Sequence, residues 1–363
     1  MRQAMTIVTT GALVLVGLVG CAQSEPSSSP TSQSSSSDFK ACMVADQGGF
    51  NDKSFNQSSY EGLQKAVAEL GIQAAEAETK TTAEIGPALA TLVDQDCDLI
   101  VTVGVTLAAA TRDSAQAHSD VDYALVDSTL TDANGTTLTL DNVRPLLFNT
   151  AEADFQAGYL AAATSQTGVV ATFGGQAMPP VTLFMDGFVD GVTYYNQQKG
   201  ASVRVLGWDK ESQTGSFVGD FTNTEIGRQL TEDFIAQGAD IVHPVAGLAG
   251  VGTLEAVRAA GDVYVIWVDS DGTLTNPEYS DIILTSVIKN LAEPVYDTIQ
   301  LAQAGRFSAH AYVGDLENGG VSLAPFHDLA DLVSADTQAE LDQIKQDIID
   351  GTIVVDSPST PVS

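Results

Sequence analysis

Basic residues are scarce in this chain: 15 Lys and Arg stand against 47 Asp and Glu, a formal net charge of -32. A surface so acidic repels phosphate backbones and anionic lipid headgroups, which excludes nucleic-acid binding and any polybasic contact with a membrane. Histidine is rarer still. His118, His243, His310 and His327 are scattered, with no metal-ligand spacing and no nucleophile beside them, and they read as surface or loop residues. No P-loop, nucleophile elbow or HExxH string occurs, so no enzyme class, cofactor or metal is indicated.

Long apolar runs are also missing. The one at the start, Ala4 to Gly20, is shorter than the roughly 20 residues of a membrane-spanning helix and ends in small residues, so residues 1–20 read as a signal peptide. Leu18, Val19, Gly20 and Cys21 resemble a lipobox, in which the cysteine is acylated and becomes the mature N-terminus. Residues 22–37, AQSEPSSSPTSQSSSS, have nothing to bury and form a flexible tether behind Cys21. The expected location is the extracytoplasmic face of the cell membrane, held by the lipid anchor alone. Of three cysteines, Cys42 and Cys97 remain. An oxidising exterior permits a bridge between them, and two buried free thiols are the alternative.

What is present is a globular composition, 44% hydrophobic and 17% charged, in 363 residues, too many for one ordinary core. From Asp38 onward apolar strands alternate with Ala-rich helices. FKACMVAD (39–46), DLIVTVG (98–104) and VDYALVD (121–127) are continuous in apolar residues, the mark of a parallel sheet covered on both faces. The pattern restarts with strands near Val169–Phe173, Ser202–Trp208, Asp240–Pro244 and Val263–Val268. The expected fold is α/β, two doubly wound parallel-sheet lobes joined by a hinge. The first lobe takes residues 38–148 plus about 270–305, and the second 149–269 plus about 306–335. Residues 336–363 give a C-terminal helix and a loose tail, DSPSTPVS.

Ligands of open parallel sheets bind beyond the carboxyl ends of the strands. Asp46, Gly104, Asp127 and Asp269 end four strands here. Directly after the first comes DQGGFNDKSFNQ (46–57), with two glycines for a tight turn, Asn51 and Asp52 to cap the next helix, and Phe55 as an aromatic face among polar groups.

That segment, with FGGQAMPPV, FMDGFVDGV, VAGLAG, VDSDG and LTSVIKN in order behind it, resembles the basic membrane protein family of substrate-binding lipoproteins. The resemblance spans residues 39 to about 300. It implies a type I periplasmic-binding fold, two α/β lobes with three crossovers, serving an ABC importer's permease and ATPase. It also implies a monomer and, by likeness to purine nucleoside receptor lipoproteins, a nucleoside ligand. Carried over residue by residue, Phe55 and Phe221 match the aromatics on either side of the base, and Asp127 matches the carboxylate at its edge. Asp46 and Asp269 match acids near the ligand, Lys289 the sugar-binding lysine and Gly247 a backbone contact. Gln47 and Asn51 belong to the same ligand loop. The chain departs from the family pattern at Gln47, at FTN (221–223) in place of F-x-D, and in VDSDG, which lacks the usual Gln. A sensing or surface lipoprotein without transport, or binding of another small polar ligand, is the alternative reading.

Overall fold

The structure, a computed structural model, describes residues 38–361, so the expected signal peptide, Cys21 and tether lie outside the described residues. Strand β1 (Lys40–Ala45) is followed by α1 (Phe55–Leu70), β2 (Gln73–Glu78), α2 (Thr82–Asp94), β3 (Leu99–Val103), α3 (Ala108–Ala117) and β4 (Asp122–Val126). A small hairpin, β5 (Leu130–Thr131) and β6 (Thr137–Leu138), leads to β7 (Val143–Phe148). The chain then crosses through α4 (Thr150–Thr164) into β8 (Val169–Gly174), α5 (Pro179–Lys199) and β9 (Arg204–Leu206). A second hairpin, β10 (Trp208–Asp209) and β11 (Thr214–Gly215), precedes α6 (Thr224–Ala236), β12 (Ile241–Val245), α7 (Val251–Ala260), β13 (Tyr264–Asp269) and α8 (Gly272–Thr275). Last come β14 (Ile283–Lys289), α9 (Ala292–Gln303), β15 (Tyr312–Gly314), β16 (Val321–Leu323) and α10 (Ala335–Ile349).

The strands form two six-stranded sheets, ordered β15-β7-β4-β3-β1-β2 and β16-β14-β13-β12-β8-β9. Central strands such as β3 and β12 are buried along their whole length between two helical layers, their apolar runs interrupted only by Thr102 and His243. The outermost strand β2, QAAEAE, alternates toward solvent, and its glutamates keep that edge from pairing with another chain. All pairings within the two sheets are parallel except β14 with β16, so the second sheet closes on an antiparallel edge strand.

The lobe boundaries differ from those expected after residue 270. Strand β14 stays in the second sheet beside β13, β15 returns to the first sheet beside β7, and β16 goes back to the second. The chain therefore crosses between sheets three times, after β7, after β14 and after β15, and the return begins past Lys289. Helix α10 packs on α4, with Gln156 Nε2 donating to the Leu341 carbonyl at 2.9 Å. Helices α4 and α5 meet backbone to backbone. A Cβ at Gly191 would lie 2.0 Å from the Phe155 carbonyl oxygen and one at Gly187 2.4 Å from that of Ala151, which explains the glycines of FMDGFVDGV.

Cys42 and Cys97 are bonded, with Cα atoms 6.0 Å apart, which resolves the open alternative in favour of the bridge. The tail is not loose where it is described. Ser357 Oγ donates to Asp186 Oδ2 at 2.6 Å, and the same buried carboxylate accepts from Trp208 Nε1 at 2.8 Å and Gln213 Nε2 at 3.0 Å. Sequence inspection missed this because the anchor is an acid inside an apolar helix, 171 residues away.

His243 is also not a surface residue: it is fully buried on β12, stacked on Phe188 at 5.2 Å, with Nε2 2.8 Å from Asp154 Oδ1. Nδ1 faces the Ile266 carbonyl at 2.9 Å, which can only accept, so Nδ1 carries a hydrogen. The approach of Nε2 to a carboxylate then requires a second proton between them, since neither atom has another partner. Burial pushes the Asp154 carboxyl up to about 6, against the pull of His243. A carboxyl raised by folding weighs against the native state once it ionises, so its contribution is intact near pH 4 and is lost as pH climbs through about 6. Asp154→Asn lacks that titration and can donate to Nε2. In urea unfolding its stability relative to the wild type should rise by about 3 kcal/mol between pH 4 and pH 7; a difference independent of pH would refute this.

Candidate functional site

Strand ends of both sheets meet at one cavity, with about 670 Å³ of space not filled by atoms, part of it open to solvent. The first lobe contributes Asp46 after β1, Phe55 and Asn56 at the start of α1, Thr106 beyond β3 and Asp127 after β4. The second contributes Phe184 on α5, Phe221 ahead of α6, Gly247 after β12, Asp269 closing β13 and Lys289 closing β14. Seven residues singled out by the sequence, Asp46, Phe55, Asp127, Phe221, Gly247, Asp269 and Lys289, therefore line one space. Gln47 and Asn51 do not. Both are exposed, because the turn curls back as the Gly48 N–H donates to Asp46 Oδ1 at 3.2 Å, leaving residues 47 and 51 on its outer side.

Lys289 is the centre of the arrangement. Its side chain is only 3% exposed, and Nζ lies 2.6 Å from Asp127 Oδ2 and 3.7 Å from Asp269 Oδ1. The rings of Phe184 at 4.9 Å, Phe55 at 5.2 Å and Phe148 at 5.8 Å surround the ammonium, each offering an electron-rich face. Asp127 and Asp269 both hold left-handed backbone, with φ of 62° and 65°, a conformation non-glycine residues rarely adopt and one that marks functional sites. Burial raises both carboxyls above their usual range, with Lys289 opposing it. Asp127, matched by resemblance to the base edge, thus stands at the same end of the cavity as the lysine.

The two lobes touch directly at the rim. Ser54 Oγ donates to Asp269 Oδ2 at 2.6 Å, and the Lys53 carbonyl accepts from Ser270 Oγ at 2.9 Å and Trp267 Nε1 at 3.3 Å. Asp52, expected to cap α1, does so strongly: it accepts backbone N–H groups from Ser54, Asn56 and Gln57 at 2.9 to 3.0 Å. Gly247 has φ of +54°, and a Cβ there would stand 3.6 Å from Phe221, an ordinary contact, so its backbone turn, more than crowding, calls for glycine. At Gly175 the reason is space, since a Cβ would lie 2.3 Å from the Phe221 ring that rests on it.

Several lining residues escaped sequence reasoning. Thr106 lies in no motif, and Asn56, although inside the segment 46–57, was not singled out within it. Met178, Pro180 and Val181 lie in FGGQAMPPV, and Phe184 follows Val181 by one helical step, a spacing that could have revealed it. Among the described residues no group of three or more His, Cys, Asp or Glu could hold a metal ion, and no helix is long and apolar enough to cross a membrane.

The family model described as ABC transporter substrate-binding protein PnrA-like matches residues 39–359. The chain is 29% identical to a CD4+ T-cell-stimulating antigen of Listeria monocytogenes, over 93% of this chain and 94% of the relative. It is 27% identical to the ABC transporter nucleoside-binding protein BmpA of Lactococcus lactis, over 98% and 100%. The crystal structure of an ABC transporter solute-binding protein from Aeropyrum pernix superposes with a TM-score of 0.78 at 25% identity, covering 90% of this chain and 94% of that one. With the family pattern running through nearly the whole described chain, on two α/β lobes closed over a shared cavity, the protein belongs to the PnrA-like ABC transporter substrate-binding proteins, which bind solutes and are not enzymes.

Proposed function

We propose that the protein captures a nucleoside, a purine one first, and presents it to the permease of an ABC importer while anchored as a monomer through an acylated Cys21. The observation that carries this reading is the presence of Phe55 and Phe221, one from each lobe, in a cavity that also holds Lys289 with two carboxylates. A neutral heterocycle offers two flat faces to two phenyl rings. Vicinal sugar hydroxyls suit a carboxylate acceptor beside an ammonium donor, which Asp269 and Lys289 supply. The name of the Lactococcus relative supports the same class of ligand. A ligand touching both lobes favours the closed form by its differential affinity, and the permease reads that form.

Calorimetric titration of the purified chain with adenosine, inosine and guanosine tests the proposal. Phe221→Ala should weaken binding by about tenfold to a hundredfold, the worth of one stacked base. In the same titration the monophosphates should bind far more weakly, because the carboxylates around the single ammonium repel phosphate. Unchanged affinity in Phe221→Ala, or equal affinity for nucleosides and monophosphates, would overturn the reading.

A further inference from the structure

The three crossovers between the lobes are tied together at one small loop. Between β15 and β16 the chain turns through residues 315–320, and the side chain of Asn318 holds that turn from within. Its Nδ2 donates to the Val313 carbonyl at 2.8 Å, and its Oδ1 accepts from the Asp315 N–H at 3.0 Å and the Gly320 N–H at 2.9 Å. The exchange is reciprocal, since Asp315 Oδ1 accepts from the Asn318 N–H at 2.8 Å. Two donors on one side and a carbonyl on the other allow only this orientation of the amide. The ends of the turn meet backbone to backbone: a Cβ at Gly320 would stand 2.2 Å from the Gly314 Cα. None of these bonds uses a residue outside 313–320, so the turn is a self-contained block.

The outward groups of the block hold the other two crossovers. The Gly314 carbonyl accepts from the Asn149 N–H at 2.8 Å, and the Leu316 N–H donates to Glu152 Oε2 at 2.9 Å, which ties the block to the crossover after β7. The Gly320 carbonyl accepts from the Asn290 N–H at 2.9 Å, which ties it to the crossover after β14. Among the described residues no hydrogen bond joins those two crossovers to each other directly. Asn290 follows Lys289, and Lys289 pairs across the sheet with Val321, the residue after the block. Asn318 itself is exposed and does not line the cavity. We propose that Asn318 is a positioning residue for solute capture: it keeps the block rigid, and the block fixes where Lys289 stands when the lobes close. A turn ordered in advance need not be ordered by the ligand on closure. Without the amide the closed form loses that advantage, and the solute leaves sooner.

Because the block acts whatever the solute, the first readout uses the full chain alone. In Asn318→Ala, hydrogen exchange read at single amides should quicken about tenfold at Asn149 and Asn290, while the amides of β3 and β12 keep the wild-type rate. Stopped-flow with adenosine, a probe that rests on the nucleoside reading, should show dissociation about tenfold faster with association little changed. Glu317→Ala, at an exposed neighbour whose side chain takes no part in these bonds, should match the wild type in both. Asn318→Asp keeps the two accepted N–H groups and loses only the donation to Val313, so its increases in both rates should be smaller. It decides in place of Asn318→Ala should that variant not fold. Wild-type exchange at Asn149 and Asn290 overturns the proposal. So does faster exchange with an unchanged dissociation rate, which would leave Asn318 a purely structural residue. If the wild type binds no adenosine, the nucleoside reading fails and exchange at Asn290 decides alone.

Discussion

Lys289→Met should lose nucleoside binding altogether and cost the folded protein about 3 to 5 kcal/mol at pH 7, because it strands two buried carboxylates. Asp127 and Asp269 are each 10% exposed at the side chain, and Lys289 is the cation that both face. Burial already raises both carboxyls with the lysine in place, so without it they rise further. A carboxyl raised by folding destabilises only when ionised, so the deficit of the variant should shrink as pH falls and both groups take up protons. Urea unfolding of wild type and variant at pH 7 and pH 5 measures this. A loss below about 1 kcal/mol at pH 7, or one that grows on acidification, would show that the lysine is not the counter-ion of the pair.

Breaking the Cys42–Cys97 bridge should be nearly as costly. The bond spans 55 residues and encloses the end of β1 with α1, β2 and α2. Cross-linking a loop of that length restricts the unfolded chain by about 4 kcal/mol in the chain-entropy account. Both cysteines are buried in the apolar layer that β1 shares with Leu89, Leu92 and Ile100, so a Cys42→Ala, Cys97→Ala protein retains its packing and loses chiefly the cross-link. Its denaturant midpoint should fall accordingly, and the wild type under reducing conditions should match it. Ligand affinity at a stable temperature should stay the same, because neither cysteine reaches the cavity. A double variant as stable as the wild type would contradict the argument.

Much of the fold is legible in the chain because its signals are local. The apolar runs of β3, β4 and β13 leave little choice but a covered parallel sheet, and the carboxyl-end rule then directs attention to Asp127 and Asp269. Sheet membership is another matter. Nothing within Ile283–Lys289 says that it lies beside β13, since that depends on where α9 crosses back to pack on α1. In the site the same division holds: the loop 46–57 announces itself, but which of its residues face inward depends on a turn set by Asp46 and Gly48, so Gln47 and Asn51 were placed by adjacency and face solvent. The bond between Lys289 and Asp127 joins residues 162 apart and leaves no trace in either neighbourhood. His243 reads as an isolated histidine because its partner, Asp154, sits in a helix whose other inward residues are mostly apolar or small.

The rim contact at Lys53 has an evolutionary consequence. What Ser270 and Trp267 hold there is a main-chain oxygen, and Lys53 itself has φ of 62°. Every amino acid brings the same oxygen, so the clasp does not depend on which side chain position 53 carries. Drift at that position is tolerated so long as the newcomer accepts a left-handed turn, which asparagine and glycine do readily and β-branched residues resist. The hydroxyl at 270 and the indole at 267 carry no such freedom, and descendants of this protein can vary the bait more easily than the hooks.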